Sequence, residues 1–141
     1  MFSKPYEQRL LAWRDFRQTL ENSENPLQHV IDFYKHAPTT KFQCDPYDQA
    51  TWPSPWEIIE ENKYCEFVKL LAICYTLQLT DRFKHEHFEI HIEYSRSSSN
   101  VYYLLYVNNM VIGYDETTYN NTNELPQDFI SQQAYVMPPL Q

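Results

Sequence analysis

The apolar positions of the chain change period part-way along it. Over residues 3–22, Tyr6, Leu10, Trp13, Phe16 and Leu20 recur at helical spacing while Arg9, Arg14 and Arg17 fall on the opposite side. That pattern predicts an amphipathic helix with Ser3 as its cap and Pro5 in its first turn. Leu27, Val30, Ile31 and Tyr34 repeat the spacing after Asn25 and Pro26, and Pro38 ends it, so a helical hairpin is expected over residues 1–37. Residues 39–52 show no period, and Asp45-Pro46 signals a turn, so Cys44 is expected in a loop, exposed or half-buried. In the stretch 51–79, Ser54, Pro55 and Glu57 form the signature of a capping box with proline at the first helical position. From Cys65 onward, Phe67, Val68, Leu70, Leu71, Ala72, Ile73, Cys74, Leu77 and Leu79 point in nearly every direction around a helix. Such a helix is satisfied only when it is surrounded, so it is expected at the centre of the fold with Cys65 at its N-terminus.

The period then falls to two. Phe88, Ile90, Ile92 and Tyr94 alternate with Glu89, His91 and Glu93, which predicts a half-buried strand. A polar loop over residues 95–100 leads to VYYLLYV, which reads as a strand covered on both faces. Asn108-Asn109 supplies turn chemistry, and MVIGYDE is expected to complete a three-stranded antiparallel meander over residues 88–116. Residues 117–141 read as a C-terminal extension, with a polar surface loop over 117–123 and a short helix over 127–135 ahead of Pro138-Pro139. The expected class is α+β: an N-terminal helical hairpin and a buried central helix packed on a three-stranded antiparallel meander, in one domain of 141 residues.

Composition narrows the function. A formal net charge of −8, without any cluster of Lys and Arg, disfavours a phosphate-backbone partner, so nucleic acid is not expected. The single glycine, Gly113, precludes a glycine-rich phosphate cradle, and no cofactor is expected. Three cysteines, Cys44, Cys65 and Cys74, fit no zinc spacing and point to a reducing compartment. The N-terminal residues lack the apolar core and cleavage site of a secretory signal, and no apolar run is long enough for a membrane span. Twelve tyrosines suit surfaces that dock onto other proteins, including copies of the same chain.

Three groups of residues carry candidate chemistry or contacts. Cys65 at a helix N-terminus would feel the positive end of the helix dipole, which favours its thiolate and makes it the only plausible nucleophile. His85, His87, Glu89, His91 and Glu93 occur at every second position, so all would share one side of a strand reaching back to residue 85 and could offer metal ligands. Trp52, Trp56, Tyr135 and Met137 lie in proline-flanked segments and are candidates for an interface.

A buried helix with cysteine at its start, followed by an antiparallel meander, resembles the papain-like and transglutaminase core. Trp52, Ser54, Pro55 and Glu57, then Cys65, Glu66 and Phe67, are similar to the nucleophile segment of bacterial transglutaminase-like cysteine peptidases. The run VYYLLYVNNMVIGYDE resembles that family's second and third strands. The resemblance implies that Asp115 stands at the orienting carboxylate. It puts Tyr102, or Tyr103 one position on, where the family's general-base histidine belongs, and Lys63-Tyr64 where the family has Gly-Asp. A tyrosine of ordinary pKa, about 10, stays protonated near neutrality and cannot take a thiol proton as imidazole does. The resemblance therefore implies a transglutaminase-like fold without its chemistry, in which Cys65, Tyr102 and Asp115 are vestiges.

Scarce glycine with abundant asparagine and tyrosine also resembles a protein of a tailed bacteriophage, of the T4-like cyanophage kind. The expectation is a non-enzymatic interaction or assembly module in the neck, tail or baseplate, located in the virion or the host cytoplasm. Two alternatives stay open: an active cysteine hydrolase or amidase using Cys65 with a histidine from elsewhere, and a metal-binding protein built on His85, His87, Glu89 and His91.

Overall fold

The structure is a computed structural model and describes residues 1–140, so Gln141, the last residue of the expected C-terminal extension, lies outside it. Helix α1 spans Tyr6–Leu20 and buries Trp13, Phe16 and Leu20. Its N-cap is Pro5, without a side-chain capping bond, which corrects the expectation for Ser3. Pro5 has extended backbone and the helix begins directly after it, so Ser3 stands outside the first turn. Helix α2 spans Pro26–Tyr34 and packs on α1 through stacked Phe16 and Phe33 rings 3.8 Å apart.

Helix α3, Pro55–Glu61, carries the expected capping box in full, with Ser54 and Glu57 each accepting the other's backbone N–H. It ends at Asn62, which adopts the left-handed conformation. Helix α4, Glu66–Gln78, is the centre of the molecule: apart from Glu66 and Lys69, every residue in it is buried. A polar node in this core ties three helices together. Thr76 gives its hydroxyl proton to the Ala72 carbonyl at 2.7 Å and accepts the Trp13 indole N–H at 3.0 Å and the Tyr34 hydroxyl at 2.9 Å.

Strands β1 (Phe88–Ser95), β2 (Val101–Val107), β3 (Met110–Ile112) and β4 (Phe129–Met137) form an antiparallel sheet of four strands in the order β3-β2-β1-β4. The chain is thus α+β, but its sheet has one strand more than the expected meander. Residues 127–135 were the expected helix; from Phe129 they instead pair with β1. The free edge of β1 needs a partner for its backbone groups, and Phe129, Ile130, Tyr135 and Val136 suit a strand. The pairing shifts between Ile92 and Glu93, which leaves Gln132 as a bulge between Ser131 and Gln133.

The strand β3 also stops earlier than MVIGYDE suggests. Gly113 follows at φ +111°, and a Cβ there would come within 2.3 Å of the Tyr103 carbonyl oxygen, so glycine both turns the chain and permits the close approach. Beyond it, Tyr119 exchanges backbone hydrogen bonds with Val111 at 2.8 and 2.9 Å.

The inner face of the sheet, with Phe88, Ile90, Leu105, Val107 and Ile112, packs into the main core around α4. On the outer face a smaller cluster of Leu104, Val111 and Leu125 is ringed by Tyr102, Tyr106, Tyr114, Tyr119 and Phe129. Cys44 is buried rather than exposed or half-buried. Its loop is pinned to the start of α4, because Tyr64 bonds Pro38 and Thr40 through the backbone and Gln43 bonds Cys65. Among the described residues, no helix is long and apolar enough to cross a membrane.

Candidate functional site

Cys65 occupies the N-cap of α4, where the sequence puts it, and its surroundings define what its thiol can do. The sulfur accepts the Val68 backbone N–H at 3.4 Å, and the Cys65 backbone N–H donates to Gln43 Oε1 at 2.6 Å. Cys65 is only 6% exposed. The sulfur caps the helix from a buried position, and the Cys65 N–H that could hold a developing oxyanion is taken up by Gln43 of the preceding loop. Burial pushes the neighbouring Cys44 thiol up to about 11, with Cys65 and Asp45 adding to the effect, and it also raises the fully buried Cys74.

The strand opposite presents Tyr103, not Tyr102. Tyr103 packs edge-on against Phe67 with ring centroids 5.2 Å apart, and burial, followed by Glu66, raises its pKa. Tyr102 points to the other side of the sheet, among Tyr114 and Phe129 at 5.2 and 5.4 Å. Adjacent residues of a strand take opposite faces, so the one-residue ambiguity of the sequence decides the matter. Asp115 lies in the loop beyond Gly113, where it accepts the Tyr119 hydroxyl at 2.7 Å and the Thr117 N–H at 2.9 Å. That bond pushes Tyr119 up to about 12. Asp115 and Tyr103 share the rim of a cleft of about 230 Å³ with Glu66, Lys69 and Tyr114, but Cys65 does not line it. Cys65, Tyr102 and Asp115 are therefore not brought together.

The histidine strand is shorter than its pattern implies. β1 begins at Phe88, and His85 sits in the preceding turn, exposed and out of the alternation. Glu89 spans the other two, with one oxygen 2.6 Å from His87 Nε2 and the second 2.9 Å from His91 Nε2, and these bonds hold its carboxyl below the ordinary range. His91 stacks on Tyr106 at 4.2 Å on the outer face, away from α4. Glu93 is buried with its Oε2 unpartnered, and burial raises its pKa. Among the described residues, no three His, Cys, Asp or Glu side chains are grouped to hold a metal ion.

Of the four interface candidates, two serve the interior. Trp52 is wedged between Phe67 at 4.9 Å and Tyr135 at 5.0 Å, with its indole N–H on the Asp45 carbonyl at 3.1 Å, and Met137 belongs to the main core. Trp56 remains half-exposed against Trp13, and Tyr135 is half-buried.

The feature that sequence reasoning missed is β4 itself. It is an edge strand of nine residues without a charge or a proline, and Ile130 to Ala134 and Val136 are exposed. The opposite edge, β3, has only three residues and is bonded to Tyr119. The signal was present in FISQQAYVM, an uncharged stretch of aromatic and β-branched residues bounded by Asp128 and Pro138. No protein-family model matches the chain, and no curated protein matches its sequence.

Proposed function

We propose that the chain is a non-enzymatic interaction or assembly module that engages another protein through the free edge of β4. The setting its composition suggests is the neck, tail or baseplate of a tailed-phage particle. The observation that carries this reading is the length and neutrality of the edge. Unpaired strand edges are templates for pairing, and folded proteins ordinarily blunt them with charge, proline or cover. Here only the bulge at Gln132 interrupts a strand of nine uncharged residues. The alternative of a cysteine hydrolase finds no support in a sulfur that is buried and does not line the cleft beside Tyr103 and Asp115.

The test is co-purification of the tagged chain from the cells that produce it, followed by mass measurement of the complex. A stoichiometric complex that is lost in the double variant Ala134→Lys, Val136→Lys supports the module. Both positions are exposed, so the variant keeps its fold. A monomer that hydrolyses amide or ester substrates through Cys65 would overturn it.

A further inference from the structure

Beside the open edge lies an acidic, aromatic flank. Tyr135 of β4 meets Trp52 edge-on, and Trp52 donates to the Asp45 carbonyl, which places the 45–52 loop against this end of the strand. Asp45, Tyr47 and Asp48 are exposed there, and Tyr135 is raised by burial first and then by these three neighbours. Among the described residues no salt bridge reaches Asp45 or Asp48; their carboxylates instead accept the backbone N–H groups of Tyr47 at 2.9 Å and Ala50 at 3.1 Å. At the other end of β4 the arrangement differs, because Asp128 is consumed by the hairpin loop, accepting Ser97 N–H at 2.8 Å and Ser95 hydroxyl at 2.9 Å.

An exposed strand backbone calls for another strand, and the charge beside it decides which kind. A second copy of this chain would add another molecule of net charge −8. We infer that β4 is completed by an extended segment of a different chain, with Lys or Arg at alternate positions facing Asp45 and Asp48 and small or β-branched residues between them. Backbone pairing supplies the affinity in such strand addition, and the alternating side chains supply the choice of partner. Ala134 and Val136 on the outer face leave room for the intervening residues, while Tyr135 and Tyr47 offer ring faces to the stems and heads of the basic ones.

This inference rests on the interaction-module reading, and its test separates the two. The purified chain is panned against a random library of linear peptides about a dozen residues long, and an enriched peptide is synthesised for titration. The expected result is enrichment of sequences with Lys or Arg at every second position and few prolines. Ala134→Lys with Val136→Lys should weaken the synthesised peptide more than tenfold, and Asp45→Asn with Asp48→Asn should weaken it about three- to tenfold, more at low salt than at high. The asparagine variants keep the oxygen acceptors of the loop, so the loop retains its shape. Enriched peptides that are acidic or helical, or that bind the double-lysine variant equally well, overturn the inference. So does a library without enrichment, or a chain that is dimeric by light scattering and loses its dimer in the double-lysine variant. In that last case the module reading survives and its partner is a second copy.

Discussion

The ring of Tyr135 meets that of Trp52 edge-on with centroids 5.0 Å apart, and this contact fastens the last strand of the sheet to the loop ahead of α3. Trp52 also lies on Phe67 in the first turn of α4, so one side chain joins strand, loop and central helix. Trp52→Ala should cost about 2–3 kcal/mol, less than a fully buried tryptophan because the ring is half-exposed. Chemical denaturation should show a lower midpoint with an unchanged slope.

The Thr76 node should be more sensitive than its size suggests. Thr76→Val keeps the shape but leaves the Trp13 indole N–H and the Tyr34 hydroxyl without their acceptor in a fully buried place. Each such loss costs about 1–3 kcal/mol, so the variant should be destabilised by about 3 kcal/mol. Tyr34, pushed up to about 12 mainly by burial, should stay un-ionised in the folded protein under alkaline conditions that ionise exposed tyrosines.

Cys65 should behave as a cap and not as a nucleophile. Cys65→Ala should cost about 1 kcal/mol, and Cys65→Ser should recover most of it, because a serine oxygen accepts the same N–H. In the native protein all three cysteines should react with a thiol reagent only as fast as the protein opens, since all are buried. Fast labelling of Cys65 at neutral pH would contradict the capping role.

Glu93 gives stability a pH dependence of definite sign. Burial raises its folded pKa above the ordinary 4.5, so the folded protein holds the proton more tightly than the unfolded chain. Stability from this group is present below the unfolded value and falls as pH rises through the folded one. Glu93→Gln should therefore raise Tm at neutral pH and change it much less at pH 4, measured by calorimetry. A variant that is less stable at neutral pH would show that the carboxylate's hydrogen bond with Ser131 outweighs its burial.

The helices were legible because each carries its own signal: the Ser54–Glu57 capping box, the all-round apolar run after Cys65 and the prolines at either end of α2 are local. What failed to show was set by partners distant in sequence. FISQQAYVM has the composition of a strand, but its place at the edge is set by β1, whose unpaired side that segment does not reveal. The candidate site failed for the same reason at a finer scale. Whether Tyr102 or Tyr103 faces α4 depends on a one-residue register, and the Gln43 contact that occupies the Cys65 N–H comes from a loop without periodicity. The histidine pattern overreached by one repeat because the chain turns at His85 before the strand begins.

Amide hydrogen exchange along β4 is the measurement that bears most on its docking role, comparing the isolated chain with the complex it forms in the producing cell. Amides of Ser131 to Val136 directed away from β1 should exchange rapidly in the isolated protein and become protected in the complex. Amides already protected in the isolated protein, or a complex that leaves β4 unchanged while protecting the residues around Cys65, would contradict it.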